Sequence, residues 1–307
     1  MELLQLTKAD LQNKRTQFCD LYRKCFNDCI DEEIVIKRYI NNPYDDLLMY
    51  AAIDDDRIVA NYSATPMRVM VDGCEVKAAL SINTMTDPVY EGRGLFVKLA
   101  TQLYEYMIEE QYGLICGFPN YLSNGVFTNK LGWKDIYEYP TLLLDLSGKD
   151  EKNFELSDAV ELLDTTEGLE TKNKTGIYVV KDSEYLRWRY DNHPTNKYHV
   201  LKLSSSDWLI YKFYGSEVNV VELCVESNEA QKTLINAICN IALKESKKQI
   251  TVWQKINTRE HSLFERLGFC NRAPIRYFSA KQLVLPVEAD IFDARNWSIQ
   301  MGDDNVY

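Results

Sequence analysis

The chain has 307 residues, 46% of them hydrophobic and 26% charged, the proportions of a globular protein large enough for two cores. A formal net charge of -11 excludes broad nonspecific contact with nucleic acid, which needs basic surface. No apolar run approaches the roughly 20 residues of a membrane helix, and residues 1–10 lack the basic start and apolar centre of a secretory signal, so the expected location is the cytoplasm with no membrane partner.

Eight cysteines without a secretory context predict free thiols rather than disulfides. Cys19, Cys25 and Cys29 lie in a helical stretch, but no histidine and no paired C-x-x-C accompanies them, so no metal is expected. His193, His199 and His261 show no ligand spacing either, and His193 stands before Pro194 as a turn residue.

Residues 8–26 predict a helix with Leu11, Phe18, Leu21, Tyr22 and Cys25 on one side. Asp31 can cap a second helix that runs to Ile40, and Pro43 ends that pattern. Strands at 48–53 and 57–64 flank Asp54-Asp55-Asp56, which reads as a hairpin turn rather than a carboxylate cluster for a metal. Strands at 68–71 and 75–83 flank Asp72-Gly73, the strongest short hairpin signal of the chain. The alternating run closes near Met85-Thr86-Asp87-Pro88, and Gly92-Arg93-Gly94-Leu95 then opens an amphipathic helix over 95–110. A glycine turn feeding a helix start exposes unpaired N–H groups at the positive end of the helix dipole, an anion site suited to a diphosphate.

A buried strand at 114–118, a break at Pro119-Asn120, a short helix over 123–131 ending at Gly132-Trp133, and a strand at 141–146 follow. The polar stretch 147–174 reads as a linker. Beyond it, Arg187, Trp188 and Arg189 fit either a packed element with outward arginines or an anion-binding cluster. Strands at 198–203, 208–213 and 218–225, a helix over 229–244, a strand at 250–253, Asn257, a short helix and Leu267-Gly268-Phe269 complete the order. The sequence of helix, strand, Asn, short helix and Leu-Gly-aromatic has then occurred twice, which predicts an internal duplication.

Glu91-Gly92-Arg93-Gly94-Leu95-Phe96, followed by Gly117-Phe118-Pro119-Asn120 and Leu131-Gly132-Trp133, resembles the GNAT acetyltransferase superfamily and its bacterial tandem members. That family's loop is Q/R-x-x-G-x-G/A; Gly94 holds the central glycine, while Glu91 and Phe96 depart from the pattern. The resemblance implies an α/β (α+β) chain of two GNAT-like domains, each a mixed, mostly antiparallel sheet flanked by helices. The implied boundaries are a catalytic domain at 1–146, a linker at 147–174, and a degenerate copy with a C-terminal tail at 175–307.

The resemblance also implies acetyl-CoA as co-substrate. Its diphosphate would sit on Glu91, Gly92, Arg93, Gly94, Leu95 and Phe96. Met85 and Thr86 would pair with the pantetheine arm, a nearby backbone N–H would polarise the thioester carbonyl, and Asn120, Ser123 and Phe127 would lie alongside. Between Val225 and Leu234 the second copy has no glycine and two acids, so it is expected not to bind the cofactor. Many family members protonate the departing thiolate with a tyrosine whose place here is Thr128. Asp303 or the terminal carboxylate of the acidic tail is the candidate for orienting or deprotonating the acceptor.

The implied activity is N-acetylation of a primary amine on a small molecule, with an amino sugar, free or nucleotide-linked for a surface glycan, as the leading acceptor. The competing readings are a catalytically inactive GNAT-like protein that binds acyl-CoA or serves as a scaffold, and a tRNA-dependent aminoacyl transferase of the peptidoglycan-bridge type. The acidic balance disfavours the latter. The residues fix no oligomeric state.

Overall fold

A computed structural model describes residues 1–44, 47–155, 157–171 and 175–304. Strand β1 (Glu2–Gln5) precedes helix α1 (Lys8–Phe26), which begins in a reciprocal capping box of Thr7 with Asp10 and stops at Asn27 in the left-handed region. Asp31 caps α2 (Glu32–Val35), and a π turn at Ile36–Ile40 continues it. Strands β2 (Leu48–Asp54), β3 (Arg57–Val71) and β4 (Cys74–Thr86) form an antiparallel meander. Helix α3 (Leu95–Glu109), β5 (Leu114–Gly117), α4 (Tyr121–Leu131) and β6 (Lys134–Asp145) follow.

The remaining elements are β7 (Glu161–Leu163), β8 (Ile177–Val179), α5 (Ser183–Tyr190), β9 (Tyr198–Lys202), β10 (Trp208–Tyr214) and β11 (Glu217–Cys224). Then come α6 (Asn228–Lys244), β12 (Gln249–Trp253), α7 (Arg259–Arg266) and β13 (Cys270–Gln282).

The strands expected at 57–64 and 68–71 are one strand, β3, and Pro66 is tolerated inside it for a local reason. Pairing with β2 ends at Leu48↔Ala64 and pairing with β8 begins at Val69↔Val179, so no neighbour on that edge calls for the N–H that Pro66 lacks.

Two compact units emerge, each mixed and mostly antiparallel. The first comprises Met1–Tyr137, Thr175–Val180 and Tyr277–Trp297; the second comprises Glu138–Lys174, Lys181–Arg276 and Ser298–Tyr307. These units depart from sequential boundaries at 146 and 175. Ser279–Gln282 of β13 pair antiparallel with Leu114–Gly117 of β5, and β8 pairs with β3, so two late segments complete the first sheet. The stretch expected as a linker carries a 3-10 turn at Glu151–Asn153 and strand β7, which pairs with β9.

In the first unit, one face of the sheet packs on α3 and α4 through Tyr62, Ala79, Leu99, Leu103, Ile115 and Trp133. The other face packs on α1 and the π turn through Phe18, Leu21, Tyr39, Met49, Ile82 and Met85. The second unit repeats the order of the first. Its antiparallel strands β9, β10 and β11 lead through α6 to β12, which lies parallel to β11 just as β5 lies parallel to β4. Leu234, Ile235 and Ile238 of α6 pack there with Val218, Val220, Ile250 and Phe264.

Candidate acyl-CoA site

In the first unit Asp87 anchors the turn after β4. Its N–H donates to Val59 O (2.8 Å), its carboxylate accepts from Val89 N–H (3.1 Å), and Lys24 pairs with it at 2.7 Å, holding its carboxyl below the usual range. The Arg93 guanidinium lies 4.6 Å from the centre of the Tyr90 ring and donates to Val89 O (3.3 Å).

Gly92 and Gly94 both adopt left-handed backbone, with φ of +73° and +71°, and a Cβ built on either meets no atom within 4 Å. Gly94 is the N-cap of α3 and supplies no side-chain cap. The first-turn N–H groups of Leu95, Phe96 and Val97 therefore have no acceptor within the helix and face an open, exposed loop. Phe96, which replaces a small residue of the family pattern, does not obstruct this. Its ring turns inward, stacking on Tyr62 at 5.8 Å and meeting Phe127 edge-on at 5.3 Å.

Below the loop, β4 and β5 part. They pair over Ala78–Leu80 and Leu114–Cys116, after which β4 runs on to Thr86 while β5 stops at Gly117. A β-bulge lies in the freed stretch, where the register with β3 shifts between Asn61↔Met85 and Ser63↔Ile82, and Asn83 takes φ +48°. Side chains of β3 accommodate it. Ser63 Oγ donates to Ile82 O (2.8 Å), Asn61 Nδ2 donates to Asn83 O (3.0 Å), and Asn83 Nδ2 donates to Tyr39 Oη (3.0 Å).

The ladder also decides which amide faces the gap. The Asp87–Val59 bond makes Met85 and Asn61, two residues along, a hydrogen-bonded pair, so the Met85 N–H is spent on β3. Thr86 lies between those pairs and turns its own N–H to the open edge, while its carbonyl takes the Cys25 thiol at 3.2 Å. The Met85 side chain is buried against α1.

On the α3 face a chain of polar groups crosses the core. Trp133 Nε1 donates to Tyr104 Oη (2.8 Å), Tyr104 and Tyr62 hydroxyls are 2.8 Å apart, and Ser81 Oγ donates to Tyr62 Oη (2.9 Å). Sequence reasoning missed this chain, because its members come from β3, β4, α3 and the loop after α4. Thr128 donates to Asn124 O within α4 (3.0 Å), and Phe127 is buried against Trp133. Asn120 and Ser123 cap each other at the start of α4, both exposed.

Asp303 belongs to the second unit, where the tail is folded in. Lys181 Nζ lies 2.7 Å from Asp303 Oδ1 and 2.7 Å from both oxygens of Glu222, and all three side chains are at most 8% exposed. Asp303 Oδ2 also accepts from Gln300 N–H (2.7 Å). Gln300 bonds the backbone of Leu223 through both ends of its amide, and Arg189 donates to the carbonyls of Gly302 (3.4 Å) and Asp304 (3.1 Å). Arg189 is therefore a clamp on the tail, and Trp188 packs on Tyr185. The terminal carboxylate lies outside the described residues. At the start of α6, Ser227 Oγ accepts from Ala230 N–H and Glu229 stands in the first turn, so the second copy closes the helix end that α3 leaves open.

Lys212, buried on β10, is pushed down to about 8 by desolvation, with Arg189 adding to the shift. The unfolded chain holds this proton to about 10.5, so between these limits it binds more protons than the fold, and stability rises with pH. Lys212→Met is expected to raise Tm at pH 7 and to flatten the pH dependence of Tm between pH 8 and 10; a lower Tm at pH 7 would count against this.

Among the described residues no group of three or more His, Cys, Asp or Glu is placed to hold a metal, no helix is long and apolar enough to cross a membrane, and all eight cysteines are free. An uncapped helix start behind a glycine turn thus stands beside two parting parallel strands. Residues 7–136 match the model of the acetyltransferase (GNAT) domain, so over those residues the chain carries a GNAT acetyltransferase domain.

Three solved structures share the fold. A protein of Enterococcus faecalis described as "Probable N-Acyltransferase" has a TM-score of 0.68 at 16% identity, covering 92% of this chain and 72% of its own. A GCN5-related N-acetyltransferase from Kribbella flavida has a TM-score of 0.64 at 14% identity, covering 93% and 72%. Another from Anabaena variabilis has 0.65 at 12% identity, covering 89% and 71%. No curated protein sequence matches the chain significantly.

Proposed function

We propose that the protein works in the cytoplasm and moves the acetyl group of acetyl-CoA to the primary amine of a small molecule, with an amino sugar, free or nucleotide-linked, as the first acceptor to test. The observation that carries this reading is the open N-terminus of α3, with two left-handed glycines in front and no side chain capping it. The diphosphate sits on the amides of residues 94–97, and Arg93 adds positive charge beside it. The pantetheine arm lies along the edge of β4 past Leu80, where β5 no longer pairs. The Thr86 N–H points at the thioester carbonyl and stabilises the charge that develops there. The amine attacks the carbonyl carbon, the C–S bond breaks, and the amine's proton leaves to solvent.

The absence of a tyrosine at Thr128 favours a second reading, a binder of acyl-CoA without turnover. Calorimetry with acetyl-CoA, followed by thiol release across an amine panel that includes glucosamine and a nucleotide-linked amino sugar, separates the two. Binding with thiol release is the expected result. Binding without release from any amine would favour the second reading, and no binding would overturn both.

A further inference from the structure

In the second unit the edge of β11 parts from its neighbour much as β4 does, and there it is occupied. β11 pairs with β12 as far as Val220↔Val252 and then runs on without it to Cys224. A bulge at Val221 shifts the register with β10 from Tyr211↔Val220 to Ile210↔Glu222. Leu223 follows Glu222 beyond this bulge as Thr86 follows Met85 beyond the bulge of β4, and it likewise turns its N–H and carbonyl away from the hairpin partner. At Thr86 the amide faces an open edge. At Leu223 both groups are taken by one side chain: Gln300 Oε1 accepts from Leu223 N–H (2.6 Å), and Gln300 Nε2 donates to Leu223 O (3.1 Å).

The chemistry of this seat selects an amide. An N–H and a carbonyl from one residue present a donor and an acceptor side by side, and a primary amide answers with one of each, which a carboxylate or an ammonium cannot do. The tail is built to deliver that amide. Gln300 N–H donates to Asp303 Oδ2 (2.7 Å), Asp303 Oδ1 pairs with Lys181 (2.7 Å), and Lys181 is bonded in turn to Glu222, the residue before Leu223 on β11. A Cβ on Gly302 would overlap Tyr190 Oη and Glu222 Oε1, so the absence of a side chain lets the strap lie down on the sheet. Met301, Gly302, Asp303 and Asp304 are buried, whereas Gln300 is half-buried, which keeps the seat within reach of solvent.

We propose that the parted edge of β11 at Leu223 is a binding site for a primary amide, and that the strap of residues 299–304 is its resident occupant, supplied by the chain itself rather than from solution. Covalent attachment keeps the Gln300 amide at an effective concentration of about millimolar or more, so a contact of only two hydrogen bonds stays filled. The second unit thereby keeps its parted strand without a cofactor. The strap also covers a strand edge that would otherwise be a template for pairing with another chain. None of this depends on acetyl-CoA, since every group involved belongs to the second unit.

The test is hydrogen exchange at the Leu223 amide, followed by NMR in the full chain for the wild type, Gln300→Ala and Gln300→Met. Glu222 and Cys224, whose amides turn toward β10, report whether the sheet is intact. Both variants are expected to exchange Leu223 about 10- to 100-fold faster than the wild type, the loss of two hydrogen bonds, with Glu222 and Cys224 unchanged. Methionine fills the place of the glutamine, so a contact that depended on packing alone would stay protected in Gln300→Met. Acetamide is the part of Gln300 that Gln300→Ala removes. It is expected to slow Leu223 again in Gln300→Ala as its concentration rises, and to leave Gln300→Met unchanged because the seat is filled. Wild-type exchange of Leu223 in Gln300→Met, or a folded Gln300→Ala protein that acetamide does not protect, would overturn the inference. If Gln300→Ala does not fold, Gln300→Met decides. A failure of acetyl-CoA to bind would overturn the reading of the first unit and leave this result untouched.

Discussion

Gly94→Val is expected to lower acetyl-CoA affinity by at least about 100-fold, the loss of two hydrogen bonds to a charged diphosphate. Two effects combine. A β-branched residue is strained at φ +71°, by about 1–2 kcal/mol, and it relieves that strain by turning the peptide planes that aim the α3 amides. Its side chain also enters the open space that a phosphate would fill. Because Gly94 is exposed and a Cβ there meets no atom within 4 Å, the fold itself should lose only that strain, a small drop in Tm. Calorimetry and thermal melting on the same sample check both halves. Unchanged affinity would show that the diphosphate binds elsewhere.

Lys181→Met should be the most damaging substitution in the second unit, costing about 3–5 kcal/mol and roughly 10 °C in Tm. The change leaves Glu222 and Asp303 facing each other with 1% and 3% of their side chains exposed and no cation between them. In the wild type these carboxylates raise Lys181 above its ordinary range, so its contribution is complete below about 10.5 and is lost only as pH rises through the raised value. The variant behaves differently. One of two facing carboxylates takes up a proton in the fold, its folded pKa lies above the unfolded one, and the deficit shrinks as pH falls. Adding Glu222→Gln and Asp303→Asn to Lys181→Met should recover most of the loss by removing the buried charges. Melting curves of the single and triple variants between pH 5 and 8 provide the check; equal Tm for wild type and single variant would refute the account.

What the sequence made legible was local. The helix over Lys8–Phe26 follows from its apolar spacing, and the β3–β4 hairpin from Asp72-Gly73. The glycine turn and the missing tyrosine at Thr128 were equally readable, because each is a matter of a few neighbouring residues. The bulge was not. Nothing in Asn83 announces a positive φ, and the Asn61 and Ser63 side chains that hold the bulge come from the adjacent strand. The direction of the Thr86 amide depends on strand register, which side-chain pattern does not encode. Phe96 departs from the loop motif, and the partners that draw its ring inward, Tyr62 and Phe127, are 34 and 31 positions away. The ion pair that holds the tail was not legible either, because Lys181 stands more than a hundred residues before Asp303.

The way β13 completes the first sheet bears on how the protein is made. β5 has β4 on one side over three residue pairs, and Ser279–Gln282 on the other. Those four residues leave the ribosome more than 150 positions after β5 does. Until then a nascent chain holding every motif of the GNAT domain carries β5 with a bare edge, open to pairing with another chain. A gene fragment stopped at residue 146 would preserve that unfinished state permanently. Expression of the isolated domain should therefore yield aggregates, and supplying the 277–297 segment, fused behind residue 137 through a flexible linker, should restore a folded product.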